Sequence, residues 1–255
     1  MKTWIFLRGL TRESRHWGDF VTQFQQELPD SQVVALDLPG NGLLNHQRSP
    51  LCVQDMVAHC RAQLVLRHIA PPYHLLAMSL GAMVALAWAA AHPQEVAANV
   101  LINTSMRPFN PFYQRLQPAN YGVLFKLALL NAPPEAWARE VLRLTSNQAH
   151  EAVLAHWLAW QRANPVSYAN ALRQLIAAAR FRAPAVKPPA ATLLLASEQD
   201  HLVSVECSKT LARHLQYVLC LHPRAGHDLP LDDGPWVAAQ VGSWLRGLEQ
   251  RNSHD

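Results

Sequence analysis

The feature that most constrains the fold is an alternation of short apolar runs with segments of helical periodicity. Six predominantly apolar runs predict β-strands: Trp4–Leu7, Val33–Asp37, Tyr73–Met78, Asn99–Asn103, Thr192–Ala196 and Tyr217–Leu221. Between them, apolar residues recur at helical spacing, as in Val53, Met56, Val57, Cys60 and Leu64. Strands that alternate with helices and are apolar throughout indicate an α/β fold, with a mostly parallel six-stranded sheet covered by helices on both faces.

The alternation breaks once, after Asn103. The next 80 or so residues predict helices over Pro134–Ser146, Ala149–Ala163 and Pro165–Phe181, the last with an apolar stripe of Leu172, Leu175, Ile176 and Ala179. We therefore expect an α/β core formed by residues 1–103 and 184–249. Residues 104–183 are expected to form an inserted all-helical cap over the sheet's edge, and residues 250–255 a flexible tail.

The composition is that of a folded globular chain: 255 residues, 50% hydrophobic and 16% charged. The apolar run before Arg8 is too short for a signal-peptide core, and no run approaches the ~20 residues of a membrane span. The four cysteines show neither C-x-x-C nor zinc spacing, and the histidines show no metal-binding pattern. We expect a cytoplasmic protein with reduced thiols, no metal, no cofactor and no nucleic-acid partner; the sequence leaves its oligomeric state open.

Residues 104–183 are markedly basic. They contain nine Lys and Arg residues but only three Glu, whereas the whole chain has a net charge of +4. Such an excess is compatible with an ordinary solvated face. It also allows a sharper hypothesis, in which the substrate or its carrier is anionic, such as an acyl-carrier-protein or coenzyme-A ester, and is attracted to the cap.

A small-x-Ser-x-Gly pentapeptide, Ala77-Met78-Ser79-Leu80-Gly81, lies between a predicted strand and a predicted helix. This arrangement forces a tight turn that raises the serine hydroxyl at the sheet's carboxyl edge. Ala77 and Gly81 meet the need for small residues where strand and helix cross. Taken alone, Ser79 could be an ordinary helix N-cap.

An acid and a histidine follow the last two predicted strands. Asp200 comes after Thr192–Ala196, and His227 comes after Tyr217–Leu221. A serine needs a base to take its proton, and the base needs a third group to orient it. Asp228 is the alternative acid, although a neighbour in sequence reaches the far ring nitrogen with difficulty.

These residues, with two loops near the N-terminus, make the chain resemble the α/β-hydrolases that carry a helical cap. Phe6–Leu10 resembles the family's oxyanion loop, with Arg8 where a histidine is usual, and Leu36–Gly42 resembles its D-x-P-G-x-G loop. The resemblance covers nearly the whole chain. Asn103 occupies the position where some members carry their acid, which favours Asp200.

The resemblance implies a role for each residue of the site. Ser79 would be the nucleophile, His227 the general base and then acid, and Asp200 the carboxylate that orients the imidazole. The backbone N–H groups of Leu10 and Leu80 would form the oxyanion hole. Supporting positions would be Gly9, Ala77, Gly81 and Asp37, the last as a turn residue.

The function implied is that of a serine hydrolase that cleaves a small-molecule carboxylic ester or thioester, similar in layout to carboxylesterases such as those that demethylate a pimeloyl ester. A triad-dependent lyase of the same fold, like the menaquinone-pathway enzyme, is the alternative. Those lyases carry an arginine shortly after the pentapeptide with the nucleophile, where this chain has Ala82-Met83. A non-catalytic binding protein of the same fold remains a third possibility.

Overall fold

A single six-stranded sheet organises the computed structural model, which describes residues 1–129, 132–148 and 151–252. Its strands are β1 (Lys2–Leu7), β2 (Ser31–Leu36), β3 (Tyr73–Met78), β4 (Val96–Ile102), β5 (Ala191–Ser197) and β6 (Val218–His222). The order across the sheet is β2-β1-β3-β4-β5-β6, and every neighbouring pair is parallel. The predicted sheet is confirmed, and all its strands point their carboxyl ends to one edge.

Helices cover both faces of this sheet. Those outside the β4–β5 connection are α1 (Phe20–Glu27), α2 (Val53–Leu66), α3 (Leu80–Ala91), α9 (Glu206–Leu215), the short α10 (Leu229–Asp232) and α11 (Gly234–Asn252). Apolar residues of α2, α3 and α9 share one buried cluster, and those of α1 and α11 share another. The helical stripe predicted in α2 lies wholly in the first cluster.

Burial on both faces explains why the strands are apolar throughout. Ile5 and Leu7 of β1 belong to the α2–α3 side of the core, whereas Trp4 and Phe6 belong to the α1–α11 side, because successive side chains of a strand point to opposite faces. All four are fully buried, and each contributes about 1.5–3 kcal/mol relative to exposure. Trp4 packs edge-on against Phe24 of α1, with ring centroids 5.0 Å apart.

The connection between β4 and β5 is helical, as expected. It contains α4 (Phe112–Arg115), α5 (Tyr121–Leu129), α6 (Pro134–Thr145), α7 (Glu151–Ala163) and α8 (Tyr168–Arg180). Its two ends meet in a parallel bridge between Arg107 and Arg182. Residues 149 and 150, expected to begin the second helix, lie outside the described residues. So do residues 253–255 of the expected tail, whereas 250–252 belong to α11.

The orientation of α8 differs from the apolar stripe seen in its sequence. Leu172 and Leu175 are about half exposed, at 57% and 48%, whereas Asn170 and Gln174 are buried with Ala177. The polar face turns inward because its amides bind loops of the core. Asn170 Oδ1 accepts from the backbone N–H of Ser49 at 3.0 Å, and Nδ2 donates to carbonyls of the same loop.

Strand β4 begins three residues earlier than expected. Val96 pairs with Tyr73 of β3, so the small residues Ala97 and Ala98 are part of the sheet. Within the described ranges, no helix is long and apolar enough to cross a lipid bilayer.

Candidate active site

Ser79 lies in a strained turn directly between β3 and α3. Its backbone has φ 54° and ψ −117°, in the left-handed half of conformational space that non-glycine residues rarely adopt. Its N–H donates to the carbonyl of Ile102 in β4 at 3.0 Å. Its hydroxyl makes no capping hydrogen bond to α3, so the simple N-cap role is not the one this side chain performs.

Close backbone approach explains the small residues around this turn. A Cβ on Gly81 would lie 2.4 Å from the carbonyl oxygen of Leu7 and 2.6 Å from that of Arg8, which only glycine avoids. A Cβ on Gly9 would lie 3.1 Å from Ser79 Cβ. Ala77 is fully buried in β3. The backbone of Leu7–Gly9 therefore passes close to the turn that carries Ser79.

The structure brings His227 and Asp200 together. His227 Nδ1 lies 2.7 Å from Asp200 Oδ2, and the two side chains are 4% and 2% exposed. The other carboxylate oxygen, Asp200 Oδ1, accepts the backbone N–H groups of Leu202 at 2.8 Å and Val203 at 2.9 Å. These bonds fix the carboxylate, which in turn fixes the imidazole with Nε2 directed away from it.

Asn103, which directly follows β4, connects the sheet with the histidine loop, defined here as residues 223–228 between β6 and α10. Its Nδ2 donates to the carbonyls of His227 at 2.7 Å and Gly226 at 3.2 Å and to Ser197 Oγ at 3.1 Å, and its Oδ1 accepts from the N–H of Ser197 at 2.8 Å. Its φ is 42°, a conformation that asparagine tolerates better than most residues. Sequence reasoning missed this role, although an asparagine at a strand end is a recognisable signal for such a turn.

Ser79 lies next to this anchor. Met78 of β3 is in register with Ile102 of β4, so Ser79 and Asn103 follow neighbouring strands about 4.8 Å apart. Thr104 Oγ1 also donates to the carbonyl of Ser79 at 3.1 Å. In the described residues, however, no hydrogen bond joins Ser79 Oγ to the His227 ring.

Two backbone donors flank the serine without a partner. Over the described ranges, neither the N–H of Leu10 nor that of Leu80 donates a hydrogen bond. Leu80 is the first residue of α3, where N–H groups have no partner within the helix. Among the described residues, therefore, neither donor has an acceptor, and each is free to bind an oxygen atom of a ligand.

Asp37 and Asp228, the two other acids singled out in the sequence, have structural partners. Asp37 accepts from the backbone N–H groups of Ser14 at 2.7 Å and Leu43 at 3.1 Å, and burial raises the pKa of its carboxyl. Asp228 forms a buried two-pronged ion pair with Arg8, including a 3.0 Å bond from Nη1 to Oδ1. Arg8 therefore braces the histidine loop from the end of β1, and Asp228 is occupied there while Asp200 binds the imidazole.

Comparison of the sequence with models of known protein families gives a match over most of the chain. A model of the alpha/beta hydrolase family matches residues 4–240, which is most of the chain. The chain belongs to the α/β-hydrolase family. No curated protein matches this α/β-hydrolase in sequence.

Several solved structures share the fold of this α/β-hydrolase at low sequence identity. A putative lipase from Acinetobacter baumannii AYE superposes with a TM-score of 0.77 at 22% identity, covering 98% of this chain and 85% of that one. A thermophilic esterase from Thermogutta terrifontis gives 0.73 at 18%, covering 97% and 90%. The 2-hydroxy-6-oxo-6-phenylhexa-2,4-dienoate hydrolase from Rhodococcus sp. strain RHA1 gives 0.76 at 18%, covering 96% and 90%. At these identities the likeness shows the fold alone.

Hydrogen bonds connect the β4–β5 helical connection of this α/β-hydrolase with three loops at the carboxyl edge of the sheet. Gln117 Nε2 donates to the carbonyl of Asp200 at 2.6 Å, and Asn147 Nδ2 donates to that of Arg224 at 2.9 Å. The N–H of Asp228 donates to the carbonyl of Thr145 at 2.6 Å. The N–H of Thr11 donates to Gln174 Oε1 at 2.8 Å. The helical connection therefore contacts the loops that follow β1, β5 and β6. Within the described residues, no group of three or more metal-ligating side chains has the geometry of a metal site.

Proposed function

We propose that this α/β-hydrolase is a serine hydrolase that cleaves a carboxylic ester or thioester through an acyl-enzyme on Ser79. The observation that carries the proposal is the buried 2.7 Å contact of His227 with Asp200, held beside a serine in a strained elbow. A serine in a strained turn next to a histidine that binds a carboxylate is typical of a nucleophile and its base at the edge of a sheet.

In the proposed reaction, Ser79 Oγ attacks the acyl carbonyl carbon while His227 Nε2 takes the hydroxyl proton. The carbonyl oxygen becomes negatively charged and accepts from the N–H groups of Leu10 and Leu80. A donor of this kind contributes on the order of 3 kcal/mol to transition-state stabilisation. The imidazolium then protonates the departing alcohol or thiol, which leaves the acyl group on Ser79.

Deacylation repeats these steps with water. His227 takes a proton from the water molecule, which attacks the acyl carbon, and the same proton returns to Ser79 as the carboxylic acid leaves. Asp200 holds the Nδ1–H tautomer and stabilises the imidazolium without accepting the proton. Catalytic hydrogen bonds are often loose without substrate, so we expect the bond between Ser79 and His227 to form in the substrate complex.

The proposal includes a cap formed by residues 104–183. It is supported by the hydrogen bonds that connect this segment with the acid, histidine and oxyanion loops. A cover of this kind excludes water from the reacting carbonyl, which strengthens the oxyanion contacts. All four cysteines are free, which supports a reducing compartment such as the cytoplasm as the place where the protein acts.

The test is turnover of p-nitrophenyl esters of graded chain length, together with covalent labelling by a fluorophosphonate. We expect the wild-type protein to show both, and Ser79→Ala to lose both. The matched control is Ser204→Ala, another serine at the sheet's carboxyl side, which should keep both activities. Labelling without ester turnover would favour the lyase, and the absence of both would favour a binding protein.

A further inference from the structure

Arg12, in the loop that follows β1, has a guanidinium group without an acidic partner. Its Nη2 is shielded from solvent and has no hydrogen-bond partner in the described part of the chain, although the residue as a whole is partly exposed. Asp228, whose charge acts on Arg12, pairs with Arg8, and Glu13, the next residue in the chain, pairs with Arg15. Shielding a charged guanidinium nitrogen from water without a hydrogen-bond acceptor costs free energy, so such groups are normally paired.

His16 does not satisfy this arginine. Arg12 Nη1 lies 3.1 Å from His16 Nε2, while His16 Nδ1 accepts the backbone N–H of Glu13 at 3.2 Å. A neutral imidazole has one acceptor nitrogen and one N–H donor. If Nδ1 accepts from Glu13, Nε2 carries the hydrogen, so two donors face each other across the 3.1 Å contact. An oxygen anion bound there would accept from both.

The electrostatic surroundings reinforce this mismatch. Burial, helped by the charge of Arg8, lowers the pKa of Arg12 to about 9, against the opposing effect of Asp228. Burial and the neighbouring arginines also lower the pKa of His16 well below its usual range, so this ring is neutral at pH 7. The region therefore holds one positive charge that lacks a counter-ion and one neutral ring that points an N–H at it.

The Arg12 group is held in place from several sides. Its Cζ lies 3.7 Å above the ring centre of Trp157 on α7, which restricts the plane of the guanidinium. Its carbonyl accepts from Asn41 Nδ2 at 2.9 Å, and the N–H of the preceding Thr11 donates to Gln174 Oε1 at 2.8 Å. A rigid donor group loses little entropy when it binds a ligand.

The position of Arg12 relates it to the catalytic centre. The N–H of Arg12 donates to the carbonyl of Gly9 at 3.2 Å, in the turn that also carries the free N–H of Leu10. Gly9 in turn packs against Ser79. Arg12 thus follows the proposed oxyanion hole by two residues, on the side of the site that α7 covers.

We propose that Arg12 and the Nε2–H of His16 form an anion subsite that binds the carboxylate of the substrate. The substrate class would then be an ester or thioester whose acyl chain ends in a carboxylate. Carboxylates suit this group because their two oxygens match a guanidinium fork. This inference rests on the proposed esterase function for its meaning in catalysis, but the binding of the anion is independent of turnover.

The first test compares two p-nitrophenyl esters of equal chain length, mono-p-nitrophenyl adipate and p-nitrophenyl hexanoate. We expect Arg12→Met to lower the ratio of their kcat/KM values, charged over neutral, by on the order of 10- to 100-fold. The ring of His16 packs against Trp157 and Trp160, with centroids 5.4 and 5.1 Å away. His16→Phe keeps a ring there and should lower the ratio about 3- to 10-fold, as expected for a neutral hydrogen bond. Arg213→Met, at an exposed arginine of α9 whose side chain bonds only Thr210 among the described residues, is the matched control and should keep the wild-type ratio. An unchanged ratio in Arg12→Met would overturn the subsite.

The second test measures binding without catalysis. In the Ser79→Ala protein, monomethyl adipate at about ten times its Kd should raise Tm by about 2–5 °C, whereas dimethyl adipate should not. The rise should disappear in Ser79→Ala/Arg12→Met. Inorganic phosphate that raises Tm more than monomethyl adipate would overturn the carboxylate assignment. A rise that depends on Arg12 in a protein that cleaves no ester would refute the proposed function and leave the subsite intact.

Discussion

Asn103 gives the sharpest prediction about how this site is built. Its buried amide forms one bond through Oδ1 to the N–H of Ser197, and its Nδ2 contacts Ser197 Oγ and the carbonyls of Gly226 and His227. Nδ2 carries two hydrogens, so two of its three acceptors can be fully bonded. Asn103→Ala therefore removes three effective hydrogen bonds. At about 1 kcal/mol each, we expect the free energy of unfolding to fall by about 3 kcal/mol.

Equilibrium unfolding in urea measures this change. We expect a lower transition midpoint with an unchanged slope, because the amount of surface exposed on unfolding is the same. The histidine loop would lose its tether to the sheet, so kcat/KM on esters should also fall, on the order of 100-fold for a displacement of about 1 Å.

Asn99, in the same strand, supplies a matched control. It is fully buried, and both polar atoms of its side chain lack a hydrogen-bond partner among the residues that the structure describes. Asn99→Ala removes the cost of an unpaired amide, about 1–3 kcal/mol, and loses some packing, so its net effect should stay within about 1 kcal/mol. Equal losses of stability in Asn99→Ala and Asn103→Ala would refute the reasoning, because burial alone would then account for both.

Three other perturbations test separate parts of the structure. Asp200→Asn should keep the fold but lower kcat on esters by on the order of 10⁴-fold, because the amide favours the wrong tautomer of His227; steady-state kinetics measures it. Gly81→Ala should cost at least about 2 kcal/mol in urea unfolding, since its Cβ would lie 2.4 Å from Leu7 O. Burial and the charge of Lys2 lower the pKa of His74 from 6.5 to about 4. Between these two pH values the unfolded state binds more protons than the folded state. The contribution of His74 to the free energy of unfolding is therefore fully present above pH 6.5 and falls by about 2–3 kcal/mol as the pH drops to about 4. His74→Phe should lose less over this window in pH-dependent unfolding, and an equal loss would contradict the assignment.

Local pattern was sufficient to predict the elements that bury apolar surface. The solid apolar runs of β1 and β3 reflect burial on both faces, and the stripe in α2 reflects burial on one. The order of the strands and the neighbours of each loop depend on packing between distant segments. Helix α8 shows where local pattern fails. Its apolar residues predicted the buried face of the helix, but Asn170 is buried instead because its side chain accepts a hydrogen bond from the backbone N–H of Ser49.

The candidate site follows the same division. Ser79, Asp200 and His227 could be proposed from their positions after strands, since parallel strands bring such loops to one edge. The environment of Arg12 could not, because Trp157 is 145 residues away in sequence and its contact depends on the placement of α7. Pairing choices are equally hidden: sequence spacing alone does not reveal that Arg8 takes Asp228 and leaves Asp200 for the histidine.

The histidine loop is hydrogen-bonded both to the sheet and to the helical connection, which links that connection to the proposed active site. From the sheet, Asn103 holds the carbonyl of His227 at 2.7 Å. From above, the N–H of Asp228 donates to the carbonyl of Thr145 at the end of α6, and Asp232 accepts from the backbone N–H groups of Gly226 and Asn147. A displacement of α6 would therefore move the imidazole as well as the proposed cap. It follows that substitutions at the end of α6 should change kcat together with KM, whereas a cover that only binds substrate would change KM alone.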